Sequence, residues 1–177
     1  MKRALFLIAG LSLATCLYSQ EIPKSMIENP RVKRPVGLSL NLGGPTILAS
    51  VSLDCFVLPV LNIEAGGGIW GYYTGAKYHF KGNVKKKTVT LYTGALLTAF
   101  PPLLETPFDA RSPKTYYYVY IPVGLNNISK NGYTTSIEIA TSNAFVEWKV
   151  PLIFSLKFGY HFIKPKRQTQ TSNHKSQ

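Results

Sequence analysis

The chain has 177 residues and carries 20 Lys and Arg against 8 Asp and Glu, a formal net charge of +12. Mean hydropathy is +0.03, and beyond the N-terminal segment no apolar run reaches the roughly 18 residues of a membrane-crossing helix, which excludes a helical membrane protein. The length suits one domain, and the two cysteines, Cys16 and Cys55, leave it to rely on burial or ladder closure. A basic balance raises the question of nucleic acid; the export signal described next argues against it and favours anionic lipid headgroups or simple solubility.

Residues 1–19 read as a secretory signal peptide: Lys2 and Arg3 form a basic start, Ala4 to Leu17 an apolar stretch too short to span a bilayer, and Ser19 a small residue for cleavage. Leu13-Ala14-Thr15-Cys16 is a competing lipoprotein signal, which Thr directly before Cys fits poorly. Residues 20–35 are polar and broken by Pro23, Pro30 and Pro35, and read as an extended lead-in without a core of its own. Arg31, Lys33 and Arg34 cluster there, ahead of the first strand.

From Val36 the chain becomes a series of alternating segments of about ten residues, the length that a tilted membrane strand needs. The pattern predicts strands over Val36–Leu42, Thr46–Leu58, Leu61–Ile69, Tyr72–Phe80, Thr88–Phe100, Thr115–Leu125, Tyr133–Thr141 and Pro151–Phe162. Gly43-Gly44-Pro45, Pro59-Val60, Gly82–Lys87 and Asn131-Gly132 supply turn chemistry between them. The last segment is the clearest. Leu152, Phe154, Leu156, Phe158, Tyr160 and Phe162 fall on one face, and Ile153, Ser155, Lys157, Gly159 and His161 on the other. Residues 163–177 read as a disordered polar tail with nothing to bury.

The phase of two holds across each segment, which a helix of period 3.6 would break. An even number of strands, eight, closes into a barrel whose interior side chains fill. The opposite faces hold Gly, Ser, Thr and Asn together with Asp54, Glu64 and Glu138 against Lys77 and Lys157. These five, joined by His161, are expected to form an interior charge network. Cys55 falls on the apolar face and reads as a small hydrophobe. The longer connections, 101–113 and 142–150, belong on one end and both termini on the other. Tyr72, Tyr73, Tyr116, Tyr133 and Tyr160 lie near strand ends, which fits an interfacial girdle and equally the general frequency of tyrosine in strands. An arginine replacing Leu91 or Val119 is expected to impair assembly, with Thr90→Arg milder.

The signal peptide, the eight alternating segments over 36–162 and the close on Phe162 together resemble the small outer-membrane β-barrel proteins of Gram-negative envelopes, of the OmpA/OmpX transmembrane type. The resemblance implies an all-β, antiparallel, up-and-down, eight-stranded transmembrane barrel in the outer membrane. It implies monomers surrounded by outer-membrane lipid and a final strand, with Tyr160 and Phe162, recognised by the barrel-assembly machinery. Members usually end at the terminal aromatic, whereas residues 163–177 follow it here.

Motifs for enzymatic chemistry are weak along the chain. Gly66, Gly68 and Gly71 match the spacing of a dinucleotide fingerprint, but a strand follows where a helix should, and no acidic residue stands about twenty positions on. They read as glycines making room inside a small barrel. His79, His161 and His174 have no metal-ligand spacing, and the inward histidines lie far from the outer rim. No catalytic residue, metal or cofactor is expected. The function expected is a structural or surface-interaction role, without an open pore and not enzymatic. The alternative is a soluble, exported, lipocalin-like barrel that binds a small ligand.

Overall fold

The computed structural model describes residues 28–101, 115–142 and 152–164. The expected signal peptide, half of the lead-in, most of the longer loops and the tail beyond Lys164 lie outside the described residues. After a short helix, α1 (Pro30–Lys33), come eight strands: β1 (Val36–Gly43), β2 (Ala49–Leu58), β3 (Leu61–Gly68), β4 (Tyr72–His79), β5 (Val89–Phe100), β6 (Tyr116–Ile128), β7 (Tyr133–Ser142) and β8 (Ile153–Phe162). Each pairs with its sequence neighbour, and β1 pairs antiparallel with β8, so the sheet closes into a barrel. The closing ladder runs from Val36↔Phe162 to Gly43↔Ser155. All-β, up-and-down and eight-stranded, the architecture is the one the alternation predicts.

The alternation fixes the faces. Along β7 every second residue from Thr134 to Ser142 is buried and the others are exposed. Leu40, Val51, Leu97, Val123, Ile137 and Phe158 all stand outward, each about half exposed. Much of the inner face is instead polar and buried, including Ser39, Asn41, Ser52, Asn62, Thr98 and Ser136. A soluble domain sorts its side chains the other way. Turn chemistry completes the hairpins, with Gly132 at φ 102° in the Asn131-Gly132 turn, a conformation that a side chain strains.

Two departures from regularity have local causes. The β5–β6 ladder is interrupted between Thr93↔Val123 and Leu96↔Tyr120. Pro122 lies in that gap with no N–H to give, and Thr93 Oγ1 donates to its carbonyl at 3.1 Å. In β2 the register with β3 shifts between Phe56 and Leu58, where the strand runs into its tight turn.

The interior is layered. Toward the end that carries the long loops, Tyr73, Leu96, Phe100, Tyr118, Tyr120 and Ala140 form an apolar cluster. Charged and hydroxyl groups fill the middle. At the turn end, α1 enters the barrel mouth. This corrects the expectation of an extended, coreless lead-in: Asn29 caps the helix through its side chain, and Pro30, Arg31 and Val32 are buried. Arg31 and Arg34 are buried too, so they do not face headgroups or solvent, while Lys33 stays exposed. Tyr73 is also reassigned, since it points inward at 3% exposure, whereas Tyr72, Tyr133 and Tyr160 stand outward. Cys55 shares the outward strip but is buried at 7% exposure.

The filled interior also changes what Thr90 tolerates. It is fully buried and accepts from Arg31, so a second arginine there has no room and is not mild. On the outer face the cost depends on what surrounds the barrel; for a barrel in a bilayer it is set by lipid. Val123→Arg, in the middle of β6, is expected to lower bilayer folding stability by about 2–4 kcal/mol, read from urea titrations of the protein refolded into vesicles.

Candidate functional site

The strongest concentration of chemistry is the charged middle layer of the barrel. Asp54 and Glu64 are direct cross-strand partners on β2 and β3, a like-charge pairing that is unfavourable on its own. Two lysines from other strands resolve it. Lys157, from β8, pairs with Asp54 and lies 3.1 Å from Glu64 Oε1. Lys77, from β4, lies 2.9 Å from Glu64 Oε2 and 3.0 Å from Glu138 Oε2 on β7. The chain of pairs thus runs Asp54, Lys157, Glu64, Lys77, Glu138 and crosses the lumen.

Hydroxyls donate to the same three carboxylates. Tyr92 and Tyr120 donate to Glu138 at 2.6 and 3.0 Å. Tyr73 donates to Glu64 at 3.0 Å and accepts from Asn41 at 2.9 Å. Ser39 donates to Asp54 at 2.9 Å. Every one of the eight strands therefore contributes at least one group. The Lys77 ammonium also sits 5.0 Å over the Tyr92 ring. Glycine makes one of these contacts possible: a methyl at Gly66 would lie 2.6 Å from the Tyr73 ring, which must lie flat on β3 for its hydroxyl to reach Glu64.

Below this layer the turn-side mouth is closed by the strap of residues 29–34. Arg31 donates to the carbonyls of Lys87 and Thr88 at 2.8 and 3.0 Å, to Thr90 Oγ1 at 2.7 Å and to Asn126 Oδ1 at 3.3 Å. Burial lowers its pKa to about 10, so it remains a cation at neutral pH. Asn29 donates to the carbonyls of Gly82 and Val84 at 2.7 and 3.0 Å. Arg34 donates to the His161 carbonyl at 3.0 Å and to the Tyr160 hydroxyl at 3.2 Å. Phe56 underlies the strap, 5.8 Å from the Arg31 guanidinium, with the rings of His79 and His161 packed on it at 5.0 and 5.6 Å.

The six residues expected in an interior network all point inward and are buried. Five of them form the ion-pair chain. His161 lines the same cavity, but its hydrogen bond goes to the Arg34 carbonyl at 3.1 Å, which ties it to the strap. The cavity left among Asn62, His79, Asp54, Glu64, Lys157 and their neighbours holds about 10 Å³, room for one water. Asn62 Oδ1 and His79 Nε2, which line it, have no protein partner. Among the described residues no group of three His, Cys, Asp or Glu is arranged to hold a metal. Tyr160 and Phe162 lie on the outer face, 5.4 Å apart ring to ring, with Phe162 opposite Val36 in the closing ladder.

Sequence reasoning missed the strap, Phe56 and Leu96. Arg31 and Arg34 carried no signal, because charged residues beside prolines read as surface. Phe56 and Leu96 did carry one: each holds the inward phase of its strand.

No family model and no curated protein matches this chain. Among solved structures, the crystal structure of the N-terminal β-barrel domain of Pseudomonas aeruginosa OprF matches with a TM-score of 0.50 at 14% identity, over 73% of this chain and 98% of that one. The two share one fold. The match covers nearly the whole of that barrel domain.

Removing one member of a buried ionic chain strands its partners. Lys77→Met is expected to destabilise the barrel by about 3–5 kcal/mol, since it leaves Glu64 and Glu138 short of a counter-charge. Adding Glu138→Gln to Lys77→Met should cost less than the sum of the two single changes, read as a double-mutant cycle in denaturant titrations.

Proposed function

We propose that the protein is an integral barrel of the Gram-negative outer membrane, with a structural or surface-interaction role and neither a pore nor an active site. The observation that carries this reading is the sorting of faces: an apolar outer surface with no backbone edge, around a buried polar and ionic interior. Only helices and closed barrels satisfy every backbone group in lipid. The export signal read in residues 1–19 and the fold shared with the OprF barrel support the same address.

The barrel works as a monomer in outer-membrane lipid, is inserted by the barrel-assembly machinery, and presents its long loops, 101–113 and 142–150, as the contact surface. It takes no nucleic acid and no cofactor. The plugged interior argues against conduction: an ion would have to displace the chain from Asp54 to Glu138 and the strap at the mouth. The same filling argues against a lipocalin-like carrier, which needs a ligand cavity.

Fractionation of tagged protein should place it in the outer membrane, with heat-modifiable migration on gels; a detergent-independent soluble monomer would contradict the proposal. In planar bilayers the purified protein should give no steady conductance. Arg31→Ala combined with Arg34→Ala, which frees the strap, should give more frequent brief openings.

Phe162 closes the ladder to β1, and its loss leaves that end less well held in lipid. Phe162→Ala should reduce outer-membrane yield, while truncation after Lys164 should leave the yield near normal, as quantified by immunoblot of membrane fractions. Truncation that abolishes insertion beside a silent Phe162→Ala would assign the assembly signal to the tail.

A further inference from the structure

The turn end of the barrel carries an aromatic belt and a set of lysines in immediate succession. Tyr78 and Phe80 contact each other edge to face at 5.2 Å, as do Tyr133 and Tyr160 at 5.5 Å. Phe80, Tyr133, Phe162 and Ile163 all stand outward and exposed. Directly beyond these rings comes positive charge: Lys81 follows Phe80, Lys130 precedes Tyr133 by three residues, and Lys164 follows Phe162 by two. The pattern recurs at the ends of β4, β7 and β8, at separate points round one rim.

Behind this rim, a cleft of about 330 Å³ is lined by Glu28, Pro30, Lys33, Lys86, Thr88 and Lys130. Lys33, Lys81, Lys85, Lys86 and Lys130 are exposed. Among the described residues at this end the acidic counterpart is Glu28, 3.5 Å from Lys86. The strap holds the rim in shape, since the Lys164 amide donates to the Lys33 carbonyl at 3.0 Å.

We propose that this rim is a binding collar for anionic phospholipids, with Lys81, Lys130 and Lys164 at the phosphodiester headgroups and Lys33 in the adjoining cleft. The inference rests on the membrane reading above. Interfacial aromatic rings mark headgroup depth, and ammonium groups one to three residues beyond them reach the phosphates of the same leaflet. A partner standing further out from the membrane would be met by lysines set apart from the belt. These lysines are continuous with it.

The test uses the full mature chain refolded into vesicles of phosphatidylcholine with a minority of phosphatidylglycerol. Lipids retained after mild detergent extraction are counted by native mass spectrometry. The protein should retain phosphatidylglycerol in preference to phosphatidylcholine, and added salt should weaken the preference. The combined variant Lys33→Gln, Lys81→Gln, Lys130→Gln and Lys164→Gln should still insert and shift on heating, with its preference for phosphatidylglycerol reduced at least about five-fold. Insertion without any preference, or a preference that survives the four changes, overturns the collar and leaves the membrane reading intact. Wild-type protein that inserts into neither pure phosphatidylcholine nor the mixture overturns both. Lysine-dependent sedimentation with purified peptidoglycan, without lipid enrichment, overturns the collar in favour of a periplasmic polyanion.

Discussion

Closure of the sheet is the constraint on which everything else depends. A sheet whose outer face is apolar cannot leave its edge N–H and C=O groups to water, so each strand must find a partner on both sides. Here the pairing of β1 with β8 supplies the last two partners. With eight strands the lumen is narrow enough for side chains to fill it. Closure therefore creates a second problem, an interior core in a molecule whose apolar residues have been committed to the outside.

The solution is a core made mostly of polar groups. Asp54, Glu64 and Glu138 are brought together with Lys77 and Lys157 where water is nearly absent, and tyrosine hydroxyls complete the coordination. Buried ion pairs gain little over an apolar core of equal shape, because desolvation offsets attraction. Their value here lies in registry. Each carboxylate is satisfied only if groups from distant strands arrive at the same height, so a slip of one residue would empty the network. The apolar cluster at one end and the strap at the other seal this layer from solvent. Among the described residues the lumen is filled from one end to the other, which supports the proposed reading of a barrel that acts through its ends.

The two ends are built differently. At the turn end short hairpins, the strap, aromatic rings and lysines lie close together, and Arg34 links them by reaching both the Tyr160 hydroxyl and the His161 carbonyl. One short N-terminal segment thereby couples the mouth of the barrel, the end of β8 and the outer belt.

The sequence by itself determined the strands, their facing and the all-β class, because a side-chain period of two is local and needs no knowledge of partners. It also identified which charges lie inside, since Asp54, Glu64, Lys77, Glu138 and Lys157 all hold the inward phase. Only the tertiary structure decided which of them pair, as the contacts between Lys77 and Glu138 and between Lys157 and Asp54 join residues 61 and 103 positions apart. It alone decided that Tyr73 turns in toward Glu64 and away from the outer surface. It also decided that Arg31 and Arg34, on a segment with no periodicity to read, fold back into the mouth. Local pattern sets the face of a residue within a regular strand. The destination of an irregular segment depends on the carbonyls and rings that distant strands happen to leave open, and those exist only once the barrel has closed.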